Sequence, residues 1–120
     1  MKSKIIKTIA ATAILALLFC RNVMATEMPG LAIQHKCNLC HSIDNKIVGP
    51  AWRDIAKHYR SVTTFAYKGK VYPLKEGLLL KVSNGGAGNW GDMPMYPIDP
   101  DDLSQSDLKK LIDFILKLPD

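Results

Sequence analysis

Residues 37–41 read Cys-Asn-Leu-Cys-His, and this pentapeptide decides the fold. Two thiols three positions apart lie on about one turn of chain, so both reach the same side, and the adjacent imidazole follows them. C-x-x-C-H is the attachment pattern for a c-type haem: the thiols add to the two vinyl groups and the imidazole meets the iron. Other uses of the same residues fit less well. A structural zinc site needs a second Cys/His pair at ligand spacing, and His35 and His58, the remaining histidines, form none. A thioredoxin-like dithiol belongs at the end of a strand in a βαβ unit, whereas the flanks here carry helical patterning. A Cys37–Cys40 disulfide would close a very short, strained loop.

Upstream of the motif the chain changes character. Lys2, Lys4 and Lys7 precede an apolar run from Ile9 to Cys20, and Val23-Met24-Ala25 places tolerated residues at a signal-peptidase site. The apolar run is short of the roughly 20 residues that span a bilayer. Residues 1–25 are therefore expected to be a cleaved signal peptide and 26–120 a single domain. Phe19 before Cys20 is too bulky for lipoprotein processing. The full chain has 120 residues, 16 Lys+Arg against 11 Asp+Glu and three cysteines. Removing 25 residues, with Lys2, Lys4, Lys7 and Arg21 among them, leaves 95 residues, 12 basic against 11 acidic, and two cysteines. The basic balance belongs to the export signal, so nucleic acid is excluded as a partner, and no stable membrane insertion is expected after cleavage.

Downstream, the patterning is helical with one interruption. Pro29 to Lys36 predicts a short helix ending at Cys37. Trp52, Ile55, Ala56 and Tyr59 follow i, i+3, i+4, i+7, predicting an amphipathic helix from Ala51. Val62 to Tyr72, around Lys68-Gly69, predicts a small hairpin or an irregular loop. Pro73 opens a helix through Leu74, Leu78, Leu79 and Val82 that stops at Asn84-Gly85. Ser104, with Asp107 three residues on, caps a last helix carrying Leu108, Leu111, Ile112, Ile115 and Leu116. Between these helices Gly85, Gly86, Gly88, Gly91 and Pro94 enforce a long loop, and a loop that long in a small domain is expected to be functional. It holds Met93 and Met95, either of which could place a thioether opposite the imidazole. Three to five short helices bury little apolar surface, and small domains of this kind need a staple; a covalently bound haem is one.

Taken together, CNLCH, then Val48-Gly49-Pro50 ahead of the Trp52 helix, then NGGAGNWGDMPMYP from Asn84 to Pro97, resemble the small bacterial class I cytochromes c, in particular the short periplasmic carriers. The resemblance runs from about Gly30 to the end. It implies an all-α class I cytochrome c fold around one covalently bound haem c, with a possible hairpin at about 62–72. It also implies the site. Cys37 and Cys40 carry the thioethers and His41 is the proximal iron ligand. The Pro50 carbonyl accepts the imidazole N–H. Trp90 lies near the haem propionates, and Met95, after Pro94, is the distal ligand. Phe114 belongs to a terminal helix packed across the first. The segment TTFAYKGKVYP, 63–73, departs from the shortest members; it covers a haem edge through Phe65, Tyr67 or Tyr72, or is simply a longer loop. His35 and His58 are expected at the surface.

The function so implied is single-electron transfer in the periplasm between redox proteins, a donor dehydrogenase or cytochrome complex on one side and a reductase or terminal oxidase on the other, with no substrate at the iron and no enzymatic reaction. Lys36, Lys46, Lys57 and Lys81 are expected to ring the exposed edge near Cys37 and Cys40. The alternatives are a haem-bearing electron-entry subunit of a periplasmic oxidoreductase and a small ligand-binding haem enzyme with an open sixth position. The methionine loop and the lack of an obvious distal base argue against the second.

Overall fold

A computed structural model describes residues 25–120; the expected signal peptide, 1–25, lies outside the described residues except for Ala25. Among the described residues, four α-helices and a two-stranded sheet follow one another: α1 Gly30–Gln34, a 3-10 turn Cys37–Leu39, α2 Trp52–Tyr59, β1 Thr64–Tyr67, β2 Lys70–Pro73, α3 Leu74–Asn84 and α4 Gln105–Leu116.

Helix α1 is shorter than the expected Pro29–Lys36. Lys36 adopts a left-handed conformation, φ 59°, so the chain turns out of α1 before the cysteines. The two thiols thus sit on a separate 3-10 turn, closed by Cys40 N–H and His41 N–H donating to Cys37 O.

Helix α2 buries Trp52, Ala56 and Tyr59 on one side, three of the four apolar positions read from its sequence, with Ile55 half-buried at the margin. No side chain caps it. Its first free N–H groups, on Trp52 and Arg53, donate instead to Ser42 O and Ile43 O at 2.9 and 3.0 Å. The orphan donors that every helix N-terminus presents are satisfied by the segment just after His41, which ties α2 to the C-x-x-C-H turn.

The 62–72 region is the hairpin. Antiparallel pairing sets Phe65 opposite Tyr72 and Tyr67 opposite Lys70. Lys68 and Gly69 both have positive φ, 48° and 76°, the two-residue turn whose twist matches that of paired strands. Along β1 burial alternates, with Phe65 and Tyr67 inside. Helix α3 then starts after Pro73, whose nitrogen carries no proton to donate, and its second turn lies on the hairpin: a Cβ added at Gly77 would stand 2.6 Å from Phe65 Cβ.

Helix α4 begins as expected. Ser104 Oγ accepts from Asp107 N–H at 3.1 Å, and Lys110 pairs with Asp107 at 2.7 Å. Its buried stripe of Leu108, Leu111 and Ile112 packs on α2, α3 and α1, and Phe114 meets Trp52 edge-on with ring centroids 6.1 Å apart. Arg53 and Arg60 of α2 hold the chain end, donating to Pro119 O and pairing with Asp120. The core is a single cluster in which Trp52, Tyr59, Phe65 and Tyr67 are the large members.

Candidate functional site

Cys37, Cys40, His41 and Pro50 are brought together by the loop from 41 to 50. Gly49 N–H donates to Cys40 O at 2.8 Å, and His41 forms an isolated antiparallel bridge with Lys46. These contacts fold the loop back over the cysteine turn, so that Pro50 O lies 2.7 Å from His41 Nδ1. A carbonyl only accepts, so Nδ1 carries the proton and Nε2 keeps its lone pair. That bond also fixes the plane of the ring, as a carbonyl partner does for a metal-binding histidine.

Gly49 makes this arrangement possible. A Cβ there would stand 2.5 Å from His41 Cε1 and 3.0 Å from both ring nitrogens. In the sequence Gly49 stands out only as part of a motif. Its φ is not in the left-handed region, so no local signal reveals that it is the floor under the imidazole. Trp52 supplies the next wall, its ring centroid 6.4 Å from that of His41.

Both thiols are free and half-buried. Burial pushes the Cys37 thiol above its usual value, only partly opposed by a backbone hydrogen bond. Near them in the chain, Leu39, Ile47 and Val48 are exposed apolar residues. Lys36, Lys46 and Lys57 are exposed as well. Lys81 is not, and the expectation that it joins this ring is corrected. It sits on the face of α3 that carries Gly77 and Leu78 inward, only 9% exposed. Its Nζ donates to Gly86 O, and burial lowers its pKa. A long side chain on an inward helix face buries its stem and aims its head at the nearest carbonyl; a count of lysines carries no such information.

The two methionines of the long loop differ. Met93 is 64% exposed. Met95 is half-buried, and its backbone exchanges both hydrogen bonds with Gly86, N–H to O at 3.0 Å and O from N–H at 2.9 Å. Gly85, with φ 67°, has no room for a Cβ against Met95 O. Trp90 lies on another side of the loop, beside α2: its ring centroid is 5.1 Å from His58 and 6.3 Å from Tyr59. Burial raises the Tyr59 hydroxyl pKa. His58 is exposed and His35 half-buried. Among the described residues no three His, Cys, Asp or Glu side chains gather as a metal site.

The donor chemistry fits a c-type haem. Two free thiols stand next to an imidazole whose Nε2 is available, and a half-buried thioether is carried by a loop of glycines that permits close backbone approach. The same set would serve neither zinc, for want of further ligands, nor a dithiol reaction at the end of a strand.

The chain is similar to known proteins along most of its described length. The family model described as Cytochrome c matches residues 27–119. Cytochrome c-551 of Allochromatium vinosum is 38% identical over 88 residues, covering 73% of this chain and 82% of that protein. Cytochrome c-552 of Nitrosomonas europaea is 35% identical over 118 residues, covering 98% of this chain and 99% of that one. The crystal structure of wild-type Nitrosomonas europaea cytochrome c552 superposes with a TM-score of 0.58 at 35% identity, covering 74% of this chain and 96% of its own.

Proposed function

The chain belongs to the cytochrome c family, and we propose from this premise how its own residues carry single electrons between periplasmic redox proteins. Members of the family hold one covalently attached haem c, and its small bacterial members are electron carriers rather than enzymes. The bound haem supplies a one-electron iron couple; the chain supplies everything that keeps that couple fast, selective and in place.

In this reading Cys37 and Cys40 would form the thioether links to the haem and His41 would supply Nε2 as its proximal ligand. The observation that carries the reading is the His41 Nδ1–H bond to Pro50 O at 2.7 Å, which commits one ring nitrogen and leaves the other available to a metal. Gly49 and Trp52 lie against the ring and would keep it from swinging. Met95 would be the distal ligand: its backbone is anchored at Gly86, whereas Met93 is largely exposed. An iron held by both His41 and Met95 would need little reorganisation on electron transfer, and the thioether would favour a raised potential. Trp90 is assigned to the haem propionates, with its indole N–H as donor.

Electrons pass through the exposed apolar surface of Leu39, Ile47 and Val48, flanked by Lys36 and Lys46, in small and transient contacts. The partners are proposed to be a donor dehydrogenase or cytochrome complex and an acceptor reductase or oxidase. Residues 1–25 are proposed to direct export. In support, the Nitrosomonas cytochrome matches nearly all of this chain as a full sequence but about three quarters of it as a solved structure. No helix among the described residues is long and apolar enough to cross a membrane.

The test is the absorption spectrum of ferric holoprotein carrying Met95→Ala or Met93→Ala. Loss of the sulfur-to-iron charge-transfer band in the first and its retention in the second are expected. The reverse pattern moves the ligand to Met93, and prompt carbon monoxide binding by the unmutated ferrous protein at neutral pH overturns the carrier reading.

A further inference from the structure

We propose that the 64–73 hairpin is a positioning element for the loop that carries Met95, and that Tyr67 is the residue through which it acts. The inference rests on Met95 as the distal ligand.

The hairpin is docked rather than splayed. Phe65 and Tyr67 are the buried residues of β1, and Phe65 lies so close to α3 that Gly77 has no space for a side chain. From this fixed base the hairpin reaches the glycine loop twice. Tyr67 Oη donates to Gly85 O at 3.0 Å in buried surroundings. Asn89 Nδ2 donates to Ala66 O at 3.1 Å. The segment from Gly85 to Asn89 is therefore tied to the hairpin at both ends, across a cleft of about 450 Å3.

Between those ties lies Gly86, the residue that exchanges both backbone hydrogen bonds with Met95. Lys81 donates to the same Gly86 carbonyl, so the anchor of Met95 is held from α3 as well. The loop needs such restraint. Gly85, Gly86, Gly88 and Gly91 all have positive φ, and a run of glycines in that region has large backbone freedom to lose on ordering. Without the Tyr67 bond the buried Gly85 carbonyl loses a partner and the loop samples conformations in which Met95 is withdrawn. An aromatic ring with a hydroxyl at its tip suits this role, because the ring anchors in the core while the hydroxyl reaches the loop backbone.

The experiment titrates ferric holoprotein with imidazole, an external ligand that takes the distal position only when Met95 leaves it. Tyr67→Phe keeps the ring and removes one donor. It is expected to bind imidazole about two- to tenfold more tightly than the unmutated protein, the factor set by one hydrogen bond of ordinary net strength. Asn89→Ala, at the other tie, shifts affinity the same way. Ser104→Ala destabilises the protein at the α4 cap, far along the chain from the loop tie, and leaves imidazole affinity unchanged. Unchanged imidazole affinity in Tyr67→Phe, or an equal shift in Ser104→Ala, overturns the clamp while leaving the ligand assignment intact. A Met95→Ala protein that keeps its sulfur charge-transfer band overturns the ligand assignment, and the clamp with it.

Discussion

Replacing Gly49 with alanine adds one methyl group against the His41 imidazole, 2.5 Å from Cε1 and 3.0 Å from Nδ1 and Nε2. Carbon atoms prefer separations of about 3.5–4.0 Å, so the ring or the loop has to give by roughly an ångström. The ring cannot tilt freely, because Nδ1 is held at 2.7 Å from Pro50 O and Trp52 stands on another side. Overpacking of this kind costs about 1–3 kcal/mol, and loss of the hydrogen bond adds about 0.5–1.5 kcal/mol. The expected destabilisation is therefore about 2–4 kcal/mol, read as a lowered guanidinium midpoint in the holoprotein. The potential moves too. An imidazole whose N–H is bonded to a carbonyl is the more basic ligand and favours ferric iron, so weakening that bond raises the potential. The rise is at most about 60 mV, the whole of one hydrogen bond's energy expressed for a one-electron couple. Two measurements then bear on one contact. A Gly49→Ala protein with unaltered midpoint and unaltered potential would show that the imidazole does not rest on residue 49.

Gly77→Ala separates packing from propensity: in an exposed helix the change stabilises by about 1 kcal/mol, but here the new Cβ meets Phe65, and a net loss of stability on thermal melting is expected. Acid sensitivity follows from three carboxyls. Asp107 is held below the usual carboxylate value first by Lys110 and Ser104, Asp113 by Lys75 and Asp120 by Arg60. Because the folded values are depressed, the stabilisation is fully present above the unfolded value of about 4 and is lost as pH falls through the lowered folded values. Asp120 is exposed and Asp107 and Asp113 are no more than half-buried, so the effect is small and salt-sensitive; denaturation at pH 6 and pH 3, in low and high salt, measures it, and stability equal at both pH values in low salt contradicts it.

Much of this fold is legible residue by residue. Ser104 and Asp107 announce the start of α4 because a cap is a contact between neighbours in sequence, and the stripe from Leu108 to Ile112 announces its buried face for the same reason. Gly69 marks the hairpin turn, since glycine takes a positive φ without steric cost, whereas Lys68 beside it adds no such signal. The left-handed Lys36 is harder: lysine carries no preference for that region, and the helix before the cysteines stops short of the pattern that predicted it. Of the candidate site, the thiols and the imidazole are read from their spacing, whereas the loop offers both Met93 and Met95 and only the resemblance to a family pattern selects Met95. Lys81 is misread as a surface charge, and nothing local distinguishes it from Lys75 or Lys57.

The sequence by itself determined the Cys-x-x-Cys-His spacing, the buried stripes of α2 and α4 and the α4 cap, and narrowed 62–72 to a hairpin or a loop, because each depends on covalent spacing and steric preference within a few residues. Only the tertiary structure decided that Gly49 underlies His41, that Lys81 turns inward to Gly86, and that Tyr67 and Asn89 join the hairpin to the glycine loop. Those last two contacts close separations of 18 and 23 residues. Which faces meet over such distances is settled by how whole elements pack, and packing is a property of the assembled chain rather than of any segment of it.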